Sequence, residues 1–276
     1  MLGRLRMSLD ECESAYSMLS EAIFTPIRRG TDPVRIYNFL KADCRFSEEP
    51  LENCTQHTVW SIGLSQDALL RDTDPVSCKV FVCSTRGEDG SSAVIRSYDF
   101  RRHNPLYDIC KIWEAARVTS AASTFFPNRQ SFVDGAFRRN NPIRSANIES
   151  LDTWPGEERL IISIGTGAAP GQPLTGNLLA LAKRLKDLVK DTEQTNQDFR
   201  AENNEMVRKG RLYRFNVTHG LTDVGLEEYR AVNKIAAVTD NYLDDPDIAE
   251  MVQACVDKLR SRGQRLGYAS AGGWYV

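Results

Sequence analysis

An α/β fold with a mainly parallel sheet is the class this sequence predicts, on three observations. Apolar runs of strand length alternate with segments of helical periodicity along the chain. Two of those runs, "CKVFVCS" and "RLIISIGTG", are apolar on nearly every residue, as strands covered on both faces are. The second ends in glycines, and "SFVDGAF" carries Asp-Gly, so the strand ends hold the residues able to turn sharply.

The elements follow in order. Ser8 precedes Glu11 by the capping-box spacing, and Cys12, Tyr16, Leu19 and Ile23 then recur on one helical face, which predicts a helix across "MSLDECESAYSMLSEAIF". A second helix is expected from Ser47 through Leu51, Cys54 and Val59, with Gly63 closing it in a left-handed turn. Strands are expected at Cys78–Ser84 and Ser92–Asp99, and a helix from Tyr107 to Ala122. The strand ending at Asp134, the strand Arg159–Gly167, an amphipathic helix in "NLLALAKRLKDLVKD", a strand at Arg211–Val217 and a helical region from Glu227 to Arg262 complete the pattern. No repeat, low-complexity tract or linker divides the chain, so one domain is expected over residues 1–276.

Composition excludes several function classes. At 41% hydrophobic and 26% charged residues the chain is of ordinary globular composition. A formal net charge of -2 leaves no basic surplus for a phosphate backbone, so no nucleic-acid partner is expected. Local pairs such as Arg4/Arg6 and Arg138/Arg139 read as solvated surface charge. The seven cysteines are odd in number and form no C-x-x-C pair, and His57, His103 and His219 stand far apart, so neither a disulfide framework nor a metal site is expected. No cofactor is expected. A cytoplasmic chain follows from this reading, with membrane contact, if any, peripheral.

Val-Asp-Gly by itself is most often a turn, and "GTGAAPG" lacks both the lysine of a P-loop and the G-x-G-x-x-G spacing. Cys83, at the end of a strand, is a candidate nucleophile, although no partner base is evident and a buried structural cysteine is the commoner case.

Read together, "MLGRLRMSLDEC", "CKVFVCS", "IRSYD", "IWEAARVTSAASTFF", "FVDGAF", "NNP", "ISIGTG" and "FNVTHGLTDVGLEEY" resemble the patatin-like phospholipases, the fungal ones especially. The resemblance runs from Met1 to about Asp245 and is strongest from Cys78 to Gly167; its catalytic-core part covers about 1–147, with further sheet and C-terminal helices over about 148–276. It implies a three-layer α/β/α fold and a serine acyl hydrolase working through a Ser–Asp dyad on a lipid or phospholipid ester. The acid of the dyad falls on Asp134, with Gly135 and Ala136 completing the D-G-A motif. A desolvated carboxylate bonded to a serine hydroxyl accepts its proton as the serine attacks the ester carbonyl, so the chemistry works without histidine. Arg138 and Arg139 follow the motif, close to where an anionic head group approaches.

The sequence departs from the family in two places that matter. It contains no G-x-S-x-G elbow: "GLSQD" and "GSSAV" both lack the final glycine. It also lacks the glycine-rich loop whose amides form the oxyanion hole. In the family both elements lie upstream of the match to "MLGRLRM", so the resemblance implies a fold lacking the N-terminal strand and nucleophile elbow. Such a sheet would have an open edge through which chains associate. The expectation is a chain inactive as it stands, against two rivals: a non-catalytic lipid- or protein-binding remnant, and an incomplete gene model of an active enzyme.

Overall fold

The computed structural model describes residues 1–24, 49–100, 104–120, 124–125, 131–134, 141–167, 192–221, 224 and 228–265. Two compact units appear, the first formed chiefly by Met1–Arg138 and the second by Arg139–Leu226 with Ala231–Trp274.

In the first unit a short helix α1 (Leu2–Leu5) precedes α2 (Leu9–Phe24). The expected capping box forms: the Ser8 amide donates to Glu11 Oε2 at 2.7 Å and the Glu11 amide donates to Ser8 Oγ at 3.2 Å. Helix α3 (Glu49–Ser61) packs on α2 and ends where expected, at Gly63 with φ of 85°. Gly3 lies so close to the chain at Cys78–Val80 that an added Cβ would stand 2.5 Å from Val80 Cγ2, which explains a side-chain-free residue inside α1.

Strand β1 (Phe81–Arg86) and β2 (Ser92–Arg96) form a hairpin closed by the Arg86 amide donating to the Ser91 carbonyl at 2.8 Å. The sheet has the order β2-β1-β4-β3, where β3 is Thr124–Phe125 and β4 is Ser131–Asp134, and every pair in it is antiparallel. The mainly parallel sheet expected from the apolar runs is thus not the arrangement of these strands. For β1–β2 and β3–β4 the reason lies in the connections: residues 87–91 and 126–130 are too few for a parallel crossover, which takes about a dozen residues or more. Strands β1 and β4, 44 residues apart, are antiparallel without that constraint.

The helix expected from Tyr107 to Ala122 forms as two, α4 (Pro105–Ile109) and α5 (Ile112–Val118). Asn104 caps the first, its Oδ1 accepting from the Leu106 amide at 3.0 Å, and Pro105 fills the first helical position. The break at Cys110, which is extended, has a tertiary cause. The Leu70 amide donates to the Cys110 carbonyl at 2.8 Å and the Ile112 amide to the Ala68 carbonyl at 3.0 Å, so residues 68–70 hold 110–112 as a one-bridge ladder.

The same segment corrects the reading of Arg4 as solvated surface. Its guanidinium donates from Nε to the Leu70 carbonyl at 2.8 Å, and from Nη2 to the carbonyls of Leu69 and Arg71 at 2.9 and 3.1 Å. Its side chain is only 16% exposed. Arg6 is half-exposed and pairs with Asp72 and Asp74. Behind these contacts lies the unit's core, in which Leu70, Ala93, Ile95, Leu106, Cys110 and Val118 surround a fully buried Phe132.

The second unit contains α6 (Ile143–Thr153), β5 (Ile161–Ile164), a helical run over 192–202, α7 (Asn204–Arg208), β6 (Leu212–Phe215), α8 (Val232–Leu243) and α9 (Pro246–Arg265). Strands β5 and β6 are parallel, in register from Ile161↔Leu212 to Ile164↔Phe215. Their connection over 165–211 is long enough for the crossover. Ile143, Phe199, Met206 and Leu212 form this unit's core. The fully buried strand expected here instead alternates, with Ile164 78% exposed, because β5 is paired along β6 alone among the described residues. The amphipathic helix expected in "NLLALAKRLKDLVKD" lies outside the described residues.

Candidate active site

Strand β4 ends at Asp134, and its register sets the acid's neighbours. Asp134 stands opposite Ser84 of β1, Val133 opposite Thr85, and Phe132 opposite Arg86. Asp134 therefore meets the middle of the unit's longest strand, where Ser84 and Thr85 are both buried, Ser84 to 1% exposure. Gly135, Ala136, Arg138 and Arg139 lie outside the described residues.

Ser84 was not singled out by the sequence reading. The signal was present in the "CST" step, since two consecutive hydroxyls in an apolar strand put a polar group on each face. Ser84 does not have the setting of a serine nucleophile, which needs an exposed strand-to-helix turn. It sits instead inside a regular ladder, opposite Ala93 on one side and Asp134 on the other. Cys83 is half-buried on the adjacent position, opposite Val94, and so faces the other side of the sheet from Ser84.

The two incomplete serine motifs lie at turns, one after a helix and one leading into a strand. In "GLSQD", Ser65 is exposed just past α3 and its Oγ accepts from the Asp67 amide at 3.3 Å, while the Ala68 amide donates to its carbonyl at 2.8 Å. Asp67 accepts from Lys111 Nζ at 2.8 Å and from Trp113 Nε1 at 3.3 Å, and these bonds hold its carboxyl below the ordinary aspartate range. In "GSSAV", the motif's serine is Ser92, the first residue of β2, opposite Thr85; it follows the hairpin turn in which the Ser91 amide donates to Asp89 Oδ1 at 2.8 Å. Neither serine leads from a strand into a helix.

The glycines after β5 are occupied by internal bonds, as expected of a turn. The Gly165 amide donates to the Phe215 carbonyl at 2.8 Å and the Gly167 amide to Asn216 Oδ1 at 2.9 Å. Asn216 in turn donates to Glu193 at 3.1 Å, which also accepts from Arg214 at 2.6 Å. These contacts leave the amides of Gly165 and Gly167 committed to the protein rather than open to a phosphate.

Among the described residues no group of three or more His, Cys, Asp or Glu side chains could hold a metal ion. No helix among them is long and apolar enough to cross a membrane. Burial pushes the Cys110 thiol up to about 12, with the Glu114 charge adding to the shift, so this cysteine is an inert core group.

No protein-family model matches the chain. It is similar to calcium-independent phospholipase A2-gamma of Rattus norvegicus, 32% identical over 182 residues, 60% of this chain and 22% of that protein. The protein of the same name from Mus musculus is 30% identical over 213 residues, 71% of this chain and 26% of the relative. That of Homo sapiens is 31% identical over 180 residues, 60% of this chain and 22% of the relative. The chain thus spans about a quarter of these relatives' length. At about 30% identity, homology to these phospholipases supports the patatin-like phospholipase resemblance of the chain at the level of the family.

Proposed function

We propose that this chain carries the acid half of a lipid acyl-ester hydrolase of the Ser–Asp dyad type, with Asp134 as proton acceptor in its D-G-A motif with Gly135 and Ala136. The observation that carries the reading is the homology to calcium-independent phospholipase A2-gamma, whose name states a phospholipase activity that needs no calcium. The substrate class is a phospholipid or related lipid ester, met at a membrane surface from the cytoplasmic side, with Arg138 and Arg139 contacting the head group. A three-layer α/β/α arrangement is part of the same reading, as is association through an open sheet edge.

The 276 residues contain no G-x-S-x-G and no glycine-rich oxyanion loop, so by themselves they lack both the attacking oxygen and the donors that stabilise the tetrahedral intermediate. Loss of a single such donor costs on the order of 10²–10³ in rate, and without a nucleophile the acylation step has no start. This favours a second reading for the isolated chain, a lipid- or protein-binding module that retains the scaffold. The deciding experiment is hydrolysis of a short-chain p-nitrophenyl ester and of a phospholipid by the purified, folded chain beside Asp134→Ala. No turnover by either protein is expected. Turnover lost in Asp134→Ala would show a nucleophile outside the elbow motif, and turnover lost in Cys83→Ala but kept in Asp134→Ala would replace the dyad by a cysteine.

A further inference from the structure

A cavity of about 320 Å³ opens in the second unit at the N-terminal ends of β5 and β6, lined by Gly156, Glu157, Glu158, Leu160, Arg211, Lys258 and Arg262. Three of the seven are cations. Lys258 and Arg262 are four residues apart on α9, so both project from one helical face, where like charges repel unless an anion lies between them. Both are half-buried, and neither has an ion pair among the described residues. Arg211 comes from the residue before β6 with its side chain 16% exposed. Its Nη1 pairs with Glu158 Oε1 at 3.3 Å, and its buried Nε has no partner.

The balance of charge decides what fits. Glu158 is mostly exposed and engaged by Arg211, and Glu157 is exposed, so the acids stand at the rim. The half-buried charge toward the cavity is positive, a neighbourhood that an anion with several acceptor oxygens would satisfy. A phosphate meets that need better than a carboxylate, because three oxygens can accept from a guanidinium fork and an ammonium at once.

We propose that this cavity binds the phosphate group of a glycerophosphate compound between Lys258, Arg262 and Arg211. That the phosphate belongs to a glycerophospholipid or its deacylated product rests on the acyl-ester reading above; the anion site itself does not.

The test uses the whole chain and two probes: sn-glycerol 3-phosphate in solution, followed by calorimetry, and flotation with phosphatidylcholine vesicles with and without phosphatidic acid. Saturable binding of the soluble phosphoester is expected. The double variant Lys258→Ala/Arg262→Ala should weaken it at least about ten-fold, since charge-assisted bonds are lost from both side chains. Glu157→Gln, which removes a rim carboxylate, should tighten it. Additional binding to phosphatidic acid vesicles, lost in the same double variant, would identify the source as a lipid head group, and soluble binding alone would identify a free phosphoester. Absence of saturable glycerol phosphate binding, or unchanged binding by a double variant with an unaltered circular dichroism spectrum, overturns the proposal. Asp134→Ala should leave this binding intact, so failure of the hydrolase reading and failure of the anion site are separately visible.

Discussion

Replacing Arg4 by alanine tests whether the fold of the first unit depends on a residue that the sequence presents as surface charge. The guanidinium makes three bonds of 2.8, 2.9 and 3.1 Å to the carbonyls of Leu70, Leu69 and Arg71. A bond from a charged donor to a buried acceptor contributes about 1.5–3 kcal/mol, and an acceptor that water can reach recovers most of that when the donor is removed. Leu70 is 4% exposed, so its carbonyl bears nearly the full cost, whereas the half-buried Leu69 and Arg71 can be rehydrated. Taking about 2 kcal/mol for the first and about 0.5 for each of the others gives a loss of about 3 kcal/mol for Arg4→Ala. Arg4→Lys keeps the charge but has no planar fork to span three carbonyls, so it should lose about half as much.

The assay is urea unfolding at pH 7, followed by circular dichroism and by tryptophan fluorescence, because the first unit carries Trp60 and Trp113. Arg6→Ala is the control: Arg6 is half-exposed, its shorter pair is with the partly exposed Asp74, and Asp72 keeps Arg4 within 4.0 Å, so its removal should move the midpoint much less than Arg4→Ala. A loss in Arg4→Ala within about 0.5 kcal/mol, or an equal loss in Arg6→Ala, would refute the claim that the segment 69–71 is held by this side chain.

Two further outcomes follow from the same unit. Phe132→Ala empties the centre of the core, where Phe132 is fully buried among Leu70, Ile95 and Val118, and should cost about 3–5 kcal/mol in urea unfolding, while Val76→Ala at a 79% exposed position should change little. In the native chain at about pH 8 iodoacetamide should label the exposed Cys78, whereas Cys110, buried and pushed up to about 12, stays a protonated thiol; peptide mapping that finds Cys110 labelled in native protein as fast as Cys78 would contradict its burial.

Features whose causes are local were legible in the sequence. The Ser8–Glu11 box and the Gly63 turn each rest on residues within one helical turn of one another, and both formed where the spacing placed them. The break at Cys110 was not legible, because the bonds that stretch it come from residues 68–70, some forty positions away. Arg4 was misread for the same reason: nothing next to it in sequence shows that three carbonyls wait at 69–71. Helix α6 also went unread. Its apolar residues do not gather on one clean face, and it buries Glu149 while leaving Ile148 and Leu151 exposed, so its periodicity gives little sign of which side meets the core. Of the proposed site, Asp134 is offered by a resemblance alone, while its register against Ser84 needed the pairing of two strands separated by 44 residues, 86 to 131.

On the proposed Ser–Asp reading, turn geometry rather than a shortage of hydroxyl groups limits what the described serines can do. A carboxylate is useful as a base only beside a hydroxyl that is exposed to the ester and free to leave its proton, and a strand-to-helix elbow provides both by turning the backbone away from the side chain. Ser84 is across from Asp134 but inside a flat ladder at 1% exposure, where no ester carbonyl can reach it. Ser65 is exposed but sits in the turn that follows a helix, with its hydroxyl accepting from the Asp67 amide. Introducing a final glycine alone, as Asp67→Gly, would restore G-x-S-x-G to the letter yet remove the acceptor of Lys111 and Trp113, and would still leave the serine after a helix instead of a strand. On the proposed Ser–Asp reading that variant should therefore gain no esterase activity in a p-nitrophenyl ester assay, since a nucleophile elbow depends on the strand-to-helix turn and not on the motif's letters.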